Sequence, residues 1–127
     1  MRNTFILFTS IFLISCGGPN VKPVPNKALL VENISILKPL LLTYEVRFTS
    51  VDGNDLKSND KYPSYIHLEP GIHDVSVSCY SDSIRNPVPA KGVQNFKRNY
   101  KIDHTYEFTM KEIGLGKCKI DMDEIHN

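Results

Sequence analysis

Apolar and polar residues alternate at period two in several short stretches of this chain, and no stretch keeps a 3.6-residue period. That alternation constrains the fold more than any other feature, because it is the mark of a half-buried β-strand. The stretch Tyr65 to Tyr80, YIHLEPGIHDVSVSCY, shows it best. Ile66 and Leu68 precede Glu69-Pro70-Gly71-Ile72, and Val75, Val77 and Cys79 follow it. Pro then Gly at the centre of four residues is a type II turn signal: Pro fixes φ and Gly accepts a positive one. The stretch reads as a β-hairpin. In the register that keeps one face apolar, Ile66 stands opposite Val75 and Leu68 opposite His73, and His67 and Asp74 form an outward-facing pair.

The rest of the chain supplies further strands. Leu42, Tyr44, Val46 and Phe48 share one face, with Thr43, Glu45, Arg47 and Thr49 on the other, and Asp52-Gly53-Asn54-Asp55 ends the strand in a turn. A first strand is expected from Leu29 to Ile36, with a short helix as the alternative. Ser81 to Gly92 reads as a loop of about a dozen residues, long for so small a domain. Val93 to Ile102 is a weaker strand carrying Phe96, Tyr100 and Ile102. Tyr106, Phe108 and Met110 make a good strand, Gly114 and Gly116 permit a hairpin connection, and Cys118, Ile120 and Met122 form the last apolar phase. Six to eight strands without helix predict an all-β fold, a small antiparallel β-sandwich or a small open barrel.

The N-terminus has a different logic. Met1-Arg2-Asn3 carries one positive charge, and Thr4 to Ile14 is an uncharged, mostly apolar run of eleven residues. That length suits a signal-peptide core and is too short for a helix that spans a bilayer. Leu13-Ile14-Ser15-Cys16 resembles the lipobox of bacterial lipoproteins. The resemblance implies diacylglycerol on the Cys16 thiol, cleavage between Ser15 and Cys16, and acylation of the new amino terminus. An ordinary secretory signal with an incidental Cys is the alternative. Several acyl chains together hold a protein on a membrane where one alone holds only marginally. Gly17, where inner-membrane lipoproteins carry Asp, makes the outer membrane the expected address. The organisation is then residues 1–15 as signal peptide, 16–27 as lipidated Cys and Pro-rich flexible tether, and 28–127 as the β-domain.

Removing fifteen residues leaves 127 − 15 = 112, with 14 Lys+Arg against 14 Asp+Glu once Arg2 is gone. A zero balance gives no reason to expect a nucleic-acid partner. Cys79 and Cys118 remain, each on the apolar phase of its strand, in an oxidising setting. They are a candidate disulfide, with two buried free thiols as the alternative.

A second resemblance rests on Val51-Asp52-Gly53, then Leu68-x-Pro70-Gly71-x-His73-x-Val75-x-Val77, then Tyr106. This pattern is similar to the PEGA-type small β-sandwich modules of bacterial surface lipoproteins. It implies a sandwich and a binding or scaffolding role. The segment between Gly53 and Pro63 departs from the family in lacking a compact Gly-x-x-Pro turn.

Chemistry-bearing groups are few. His67 and His73 fall on opposite faces in the expected register, so no metal site is expected. His104 is read as a solvated turn residue, His126 as part of a frayed terminus, and Asp121, Asp123 and Glu124 as a solvated edge. Lys91, Lys97, Arg98 and Lys101, interleaved with Phe96 and Tyr100, form a basic cluster that reads as a charged strand face, with a lipopolysaccharide or glycan contact as the functional alternative. No catalytic set and no cofactor site is recognised. The expectation is a non-enzymatic, lipid-anchored cell-envelope lipoprotein facing the periplasm, with an envelope protein or glycan as partner and Ser81 to Gly92 as the recognition loop. The alternative is a small inhibitor of a lysozyme or protease.

Overall fold

The computed structural model of the protein describes residues 21–33, 41–83 and 88–127. Eight strands follow in chain order: β1 (Ala28–Glu32), β2 (Leu41–Val51), β3 (Asn54–Asp55), β4 (Tyr65–Leu68), β5 (Gly71–Ser83), β6 (Ala90–Tyr100), β7 (His104–Gly114) and β8 (Lys117–His126). There is no helix among the described residues. The fold is all-β, as the alternation predicts.

Hydrogen bonds join all eight strands into one sheet, in the order β3-β2-β5-β6-β8-β7-β1-β4. The sheet folds over on itself. Its β2-β5-β6 half faces its β8-β7-β1-β4 half, and the core fills the space between. Phe108 on β7 sits at the centre: its ring meets Phe48 of β2 at 5.0 Å and Phe96 of β6 at 5.2 Å, both edge to face. Val46, Val75, Val77, Leu30, Tyr106 and Ile120 are buried around it. Two strand pairs, β1 with β7 and β6 with β8, are parallel rather than antiparallel.

The two halves meet at a narrow seam. Lys91 and Lys117 are the one residue pair by which β6 and β8 are laddered. Further along, side chains take over: Gln94 Oε1 accepts from the Ile120 amide at 3.0 Å, and Arg98 reaches Glu124 at 2.8 Å. The disulfide Cys79–Cys118 crosses the same region, from β5 to β8, with its Cα atoms 6.4 Å apart. On the opposite side the free edge of β2 is closed by isolated bonds. The Val46 amide donates to Glu32 Oε1, the Phe48 amide to the Pro63 carbonyl, and Tyr44 Oη to the Met110 carbonyl.

Three expectations change. The Pro70-Gly71 hairpin does not form. β4 pairs with β1, with Ile66 opposite Leu30, while β5 lies between β2 and β6. The turn is therefore an arch that carries the chain from one layer to the other. Gly71 has φ of +129°, as the turn signal requires. Twist is the physical reason: a type II turn splays two strands, whereas primed turns match the twist of a hairpin. Second, the loop expected at Ser81 to Gly92 is half strand at its two ends, with β5 running to Ser83 and β6 starting at Ala90. Third, Ala28, Leu29, Leu30 and Val31 are buried on both faces, not on alternate ones. Val21 and Pro23 border the outer face of β1 beside Leu29 and Val31. The expected strand beyond Asn33, through Ile36, lies outside the described residues, as do Cys16 and the rest of the lipobox.

Candidate functional site

The sheet has two ends of different character. At one, which we call the near end, the N-terminal segment meets the domain. Lys27 O accepts from the Asp103 amide at 3.3 Å, Lys27 Nζ pairs with Glu69 at 3.0 Å, and the Lys22 carbonyl lies 3.0 Å from His67 Nε2. Pro23, Val24 and Pro25 border Asp103 and His126. The last part of the Pro-rich stretch is thus laid against the domain.

The near end also collects the ionisable groups. Glu124 is the hub of one cluster. Arg98 Nη2 donates to its Oε1 at 2.8 Å, Tyr106 Oη donates to its Oε2 at 3.2 Å, and His104 Nδ1 lies 2.7 Å from that same oxygen. His104 Nδ1 is buried, and this short contact is not well directed. Partial burial pushes the Glu124 carboxyl up, but His104, Tyr106 and Arg98 outweigh it and hold the group below the usual carboxylate range. Arg98 also lies over the Tyr106 ring at 5.5 Å, and the His126 ring meets that of His104 at 4.7 Å.

The second cluster pins the arch. His73 Nδ1 is 2.6 Å from Asp52 Oδ2, and its Nε2 is 2.9 Å from the Glu69 carbonyl. Both partners are acceptors, so the imidazolium form of His73 satisfies both contacts by donating from each nitrogen. Asp52 Oδ1 also accepts from the Asp74 amide at 2.8 Å. The His73 contact and the Asp74 amide together hold the Asp52 carboxyl below its ordinary value.

These positions correct several expectations. His67 does not face Asp74. His67 is on the β4 edge, and Asp74 accepts from Asn95 Nδ2. His67 and His73 are not on opposite faces of one hairpin, since β4 and β5 do not pair. Among the described residues no three or more His, Cys, Asp or Glu side chains converge to hold a metal. His104 is not solvated: its side chain is 18 % exposed. Glu124 is the most engaged acid of the last strand, while Asp121 and Asp123 are exposed. The expected basic cluster is dispersed. Lys97 faces Asp74 on β5, Arg98 turns across the seam, Lys101 lies in a turn, and Lys91 is at the other end.

That other, far end is where the geometry is unusual. The β7–β8 hairpin turns through Gly114, Leu115 and Gly116, all with positive φ, of 94°, 55° and 73°. Leu115 is 97 % exposed at the tip of the turn. Ile113 and Val88 are exposed beside it. Val88 belongs to the expected recognition loop, and it sits so close that a Cβ on Gly116 would lie 3.2 Å from its Cγ1. The Lys91 amide donates to the Gly116 carbonyl at 3.1 Å. Inside the end, Ser81 Oγ donates to Glu112 Oε2. A recess of about 410 Å³ opens here, lined by Val88, Ala90, Glu112, Leu115 and Lys117. Residues 84–87 of the expected loop lie outside the described residues.

The hairpin itself was legible in the sequence through Gly114 and Gly116, but its exposed leucine was not singled out. The available signal was an apolar residue between two turn glycines, where a polar one is the rule. The alternation of Lys117 and Lys119 with Cys118 and Ile120 was the second signal. No family model, no curated protein and no solved structure matches this chain.

Proposed function

We propose that the protein is a lipid-anchored module of the cell envelope that holds out the far end of its sheet for recognition and carries no catalytic role. One observation supports this above the others. The N-terminal segment docks at the near end, while Val88, Ile113 and Leu115 stand exposed at the far end. Those ends are separated by the length of β7, eleven residues or about 33 Å at the rise of a strand. A chain anchored through Cys16 would thus present its apolar tip away from its attachment. The lipobox resemblance supplies the anchor and the envelope address, the outer membrane facing the periplasm in this reading.

The test is metabolic labelling with a palmitate analogue in a two-membrane bacterium. The wild type should label and fractionate with the outer membrane, and Cys16→Ala should do neither. A photo-crosslinking residue at Val88 should then capture an envelope component, and one at Ile102 should not. An unlabelled wild type would end the anchor reading.

The same tip supports a second reading, insertion into the cleft of a hydrolase as an inhibitor. A panel of lysozymes and proteases that kept full activity in excess protein would remove it.

A further inference from the structure

The far end carries a charge pattern that the strands do not need. Lys91 stands opposite Lys117 across the β6–β8 seam, and Lys111 stands opposite Lys119 in the β7–β8 hairpin. Like charges directly opposite each other destabilise a sheet. Lys117 and Lys119 are two residues apart on one strand, with buried Cys118 and Ile120 pointing the other way. All four lysines therefore share the outer face, and all four are exposed. None has a carboxylate partner in the ion pairs of the described residues. Glu112, the acid nearest the turn, accepts from Ser81 instead. The face turns acidic only further from the tip, at Asp121, Asp123 and Glu107.

Apolar side chains border the lysines on the tip side: Leu115 is 97 % exposed, Val88 60 % and Ile113 55 %. Val93, 70 % exposed, follows Lys91 on the same face of β6. Leu115 stands almost fully exposed at the tip of its turn, beside the recess, so it offers an apolar side chain to be inserted. Single exposed apolar residues elsewhere, such as Ile72, need no explanation. An apolar point flanked on one face by long, flexible ammonium groups has a specific chemical complement: a soft apolar medium beneath an anionic surface. Lysine stems can lie along that medium with their charges among phosphates.

We propose that the far end docks on an anionic phospholipid bilayer, with Leu115, Ile113 and Val88 entering the headgroup–acyl boundary and Lys91, Lys111, Lys117 and Lys119 meeting lipid phosphates. The proposal deepens the reading of the far end as the recognition end. It does not depend on the lipid at Cys16.

The chain contains no Trp, so Leu115→Trp in the full chain gives a single emitter at the tip. Ile102→Trp gives one at the near end. With vesicles containing phosphatidylglycerol, the Leu115→Trp emission should shift to the blue and be quenched by brominated acyl chains. Pure phosphatidylcholine vesicles should leave it unchanged. Lys117→Glu with Lys119→Glu should weaken the response by about tenfold or more, since each lysine near an anionic surface contributes several-fold in affinity. High salt should do the same. Ile102→Trp should stay at its aqueous emission throughout. If the protein sediments with vesicles while the tip emission stays aqueous, the proposal is overturned, even if the N-terminus is membrane-bound. Equal shifts on both vesicle types, or at both Trp positions, overturn it too. A shift that appears in vesicle-free buffer as protein concentration rises would assign the tip to a second copy of this chain.

Discussion

Gly92 tests the seam between the two halves of the sheet. It lies on β6 against the disulfide, one residue after the Lys91–Lys117 pair. A Cβ built there would fall 2.4 Å from the Cys118 carbonyl oxygen, 3.1 Å from Cys79 Sγ and 3.3 Å from Cys118 Sγ. Ordinary contact begins near 3.4 Å, so the carbonyl is too close by about 1.0 Å. A flexible side chain could swing away, but this obstacle is backbone on β8, and moving it strains the seam. Overpacking typically costs about 1–3 kcal/mol, and a rigid obstacle puts Gly92→Ala at the upper end. At roughly 4–8 °C per kcal/mol for a domain of this size, Tm should fall by about 10–25 °C. Thermal and urea melts followed by near-ultraviolet circular dichroism measure it. A second arm repeats the substitution in Cys79→Ala/Cys118→Ala protein. The two sulfur contacts are then gone and the carbonyl contact remains, so the cost should persist within about 1 kcal/mol. A Gly92→Ala protein that melts within about 3 °C of the wild type would show that the Cys118 carbonyl gives way to the added methyl. A cost that vanished in the disulfide-free background would show that the sulfurs, not the carbonyl, were the obstacle.

Other outcomes follow from the same structure. Removing the disulfide, which closes a loop between residues 39 apart in sequence, should cost about 4 kcal/mol by chain entropy, read as a shift in urea midpoint. The Asp52 and Glu124 carboxyls are held below their usual range. Their contribution is therefore present above a pH of about 4 and is lost as pH falls through the lowered values; Asp52→Asn should flatten the acid limb of a stability–pH curve. Burial pushes the phenols of Tyr100, Tyr44 and Tyr106 up. That stability is complete below a pH of about 10 and is lost as pH rises through the raised values, so phenolate absorbance and unfolding should rise together above it, and Tyr100→Phe should weaken the link. Leu115→Asn places a residue tolerant of positive φ at the tip. It should raise stability by about 1 kcal/mol while abolishing vesicle docking; a loss of stability would show that the φ of 55° at Leu115 carries no cost.

The elements were legible where one face alone is buried. Val46 and Phe48, Val75 to Cys79, Tyr106 to Met110 and Cys118 to Ile120 all keep the phase that period two assigns. Pairing was less legible, because alternation states which face is buried and not which strand lies beside it. Ile66 belongs opposite Leu30, thirty-six positions earlier, and nothing local to Pro70-Gly71 carries that information. β1 hid for a second reason. Covered on both faces, it shows a continuous apolar run that strand and helix share. Of the far end, the hairpin was readable from its glycines. Its lysine pairs were not, since Lys91 meets Lys117 only through a parallel pairing between strands far apart in sequence.

The placement of β1 has a mechanical consequence. It runs parallel to β7 and antiparallel to β4, hydrogen-bonded to both, and the chain leaves it at Ala28 toward the near end. Tension applied through the N-terminus is directed along the axis of this strand. Both ladders then share the load at once in shear, instead of parting one bond at a time as an edge strand peeled sideways would. Single-molecule pulling from the N-terminus should therefore meet a higher rupture force than pulling across the β7–β8 tip, where the hairpin unzips.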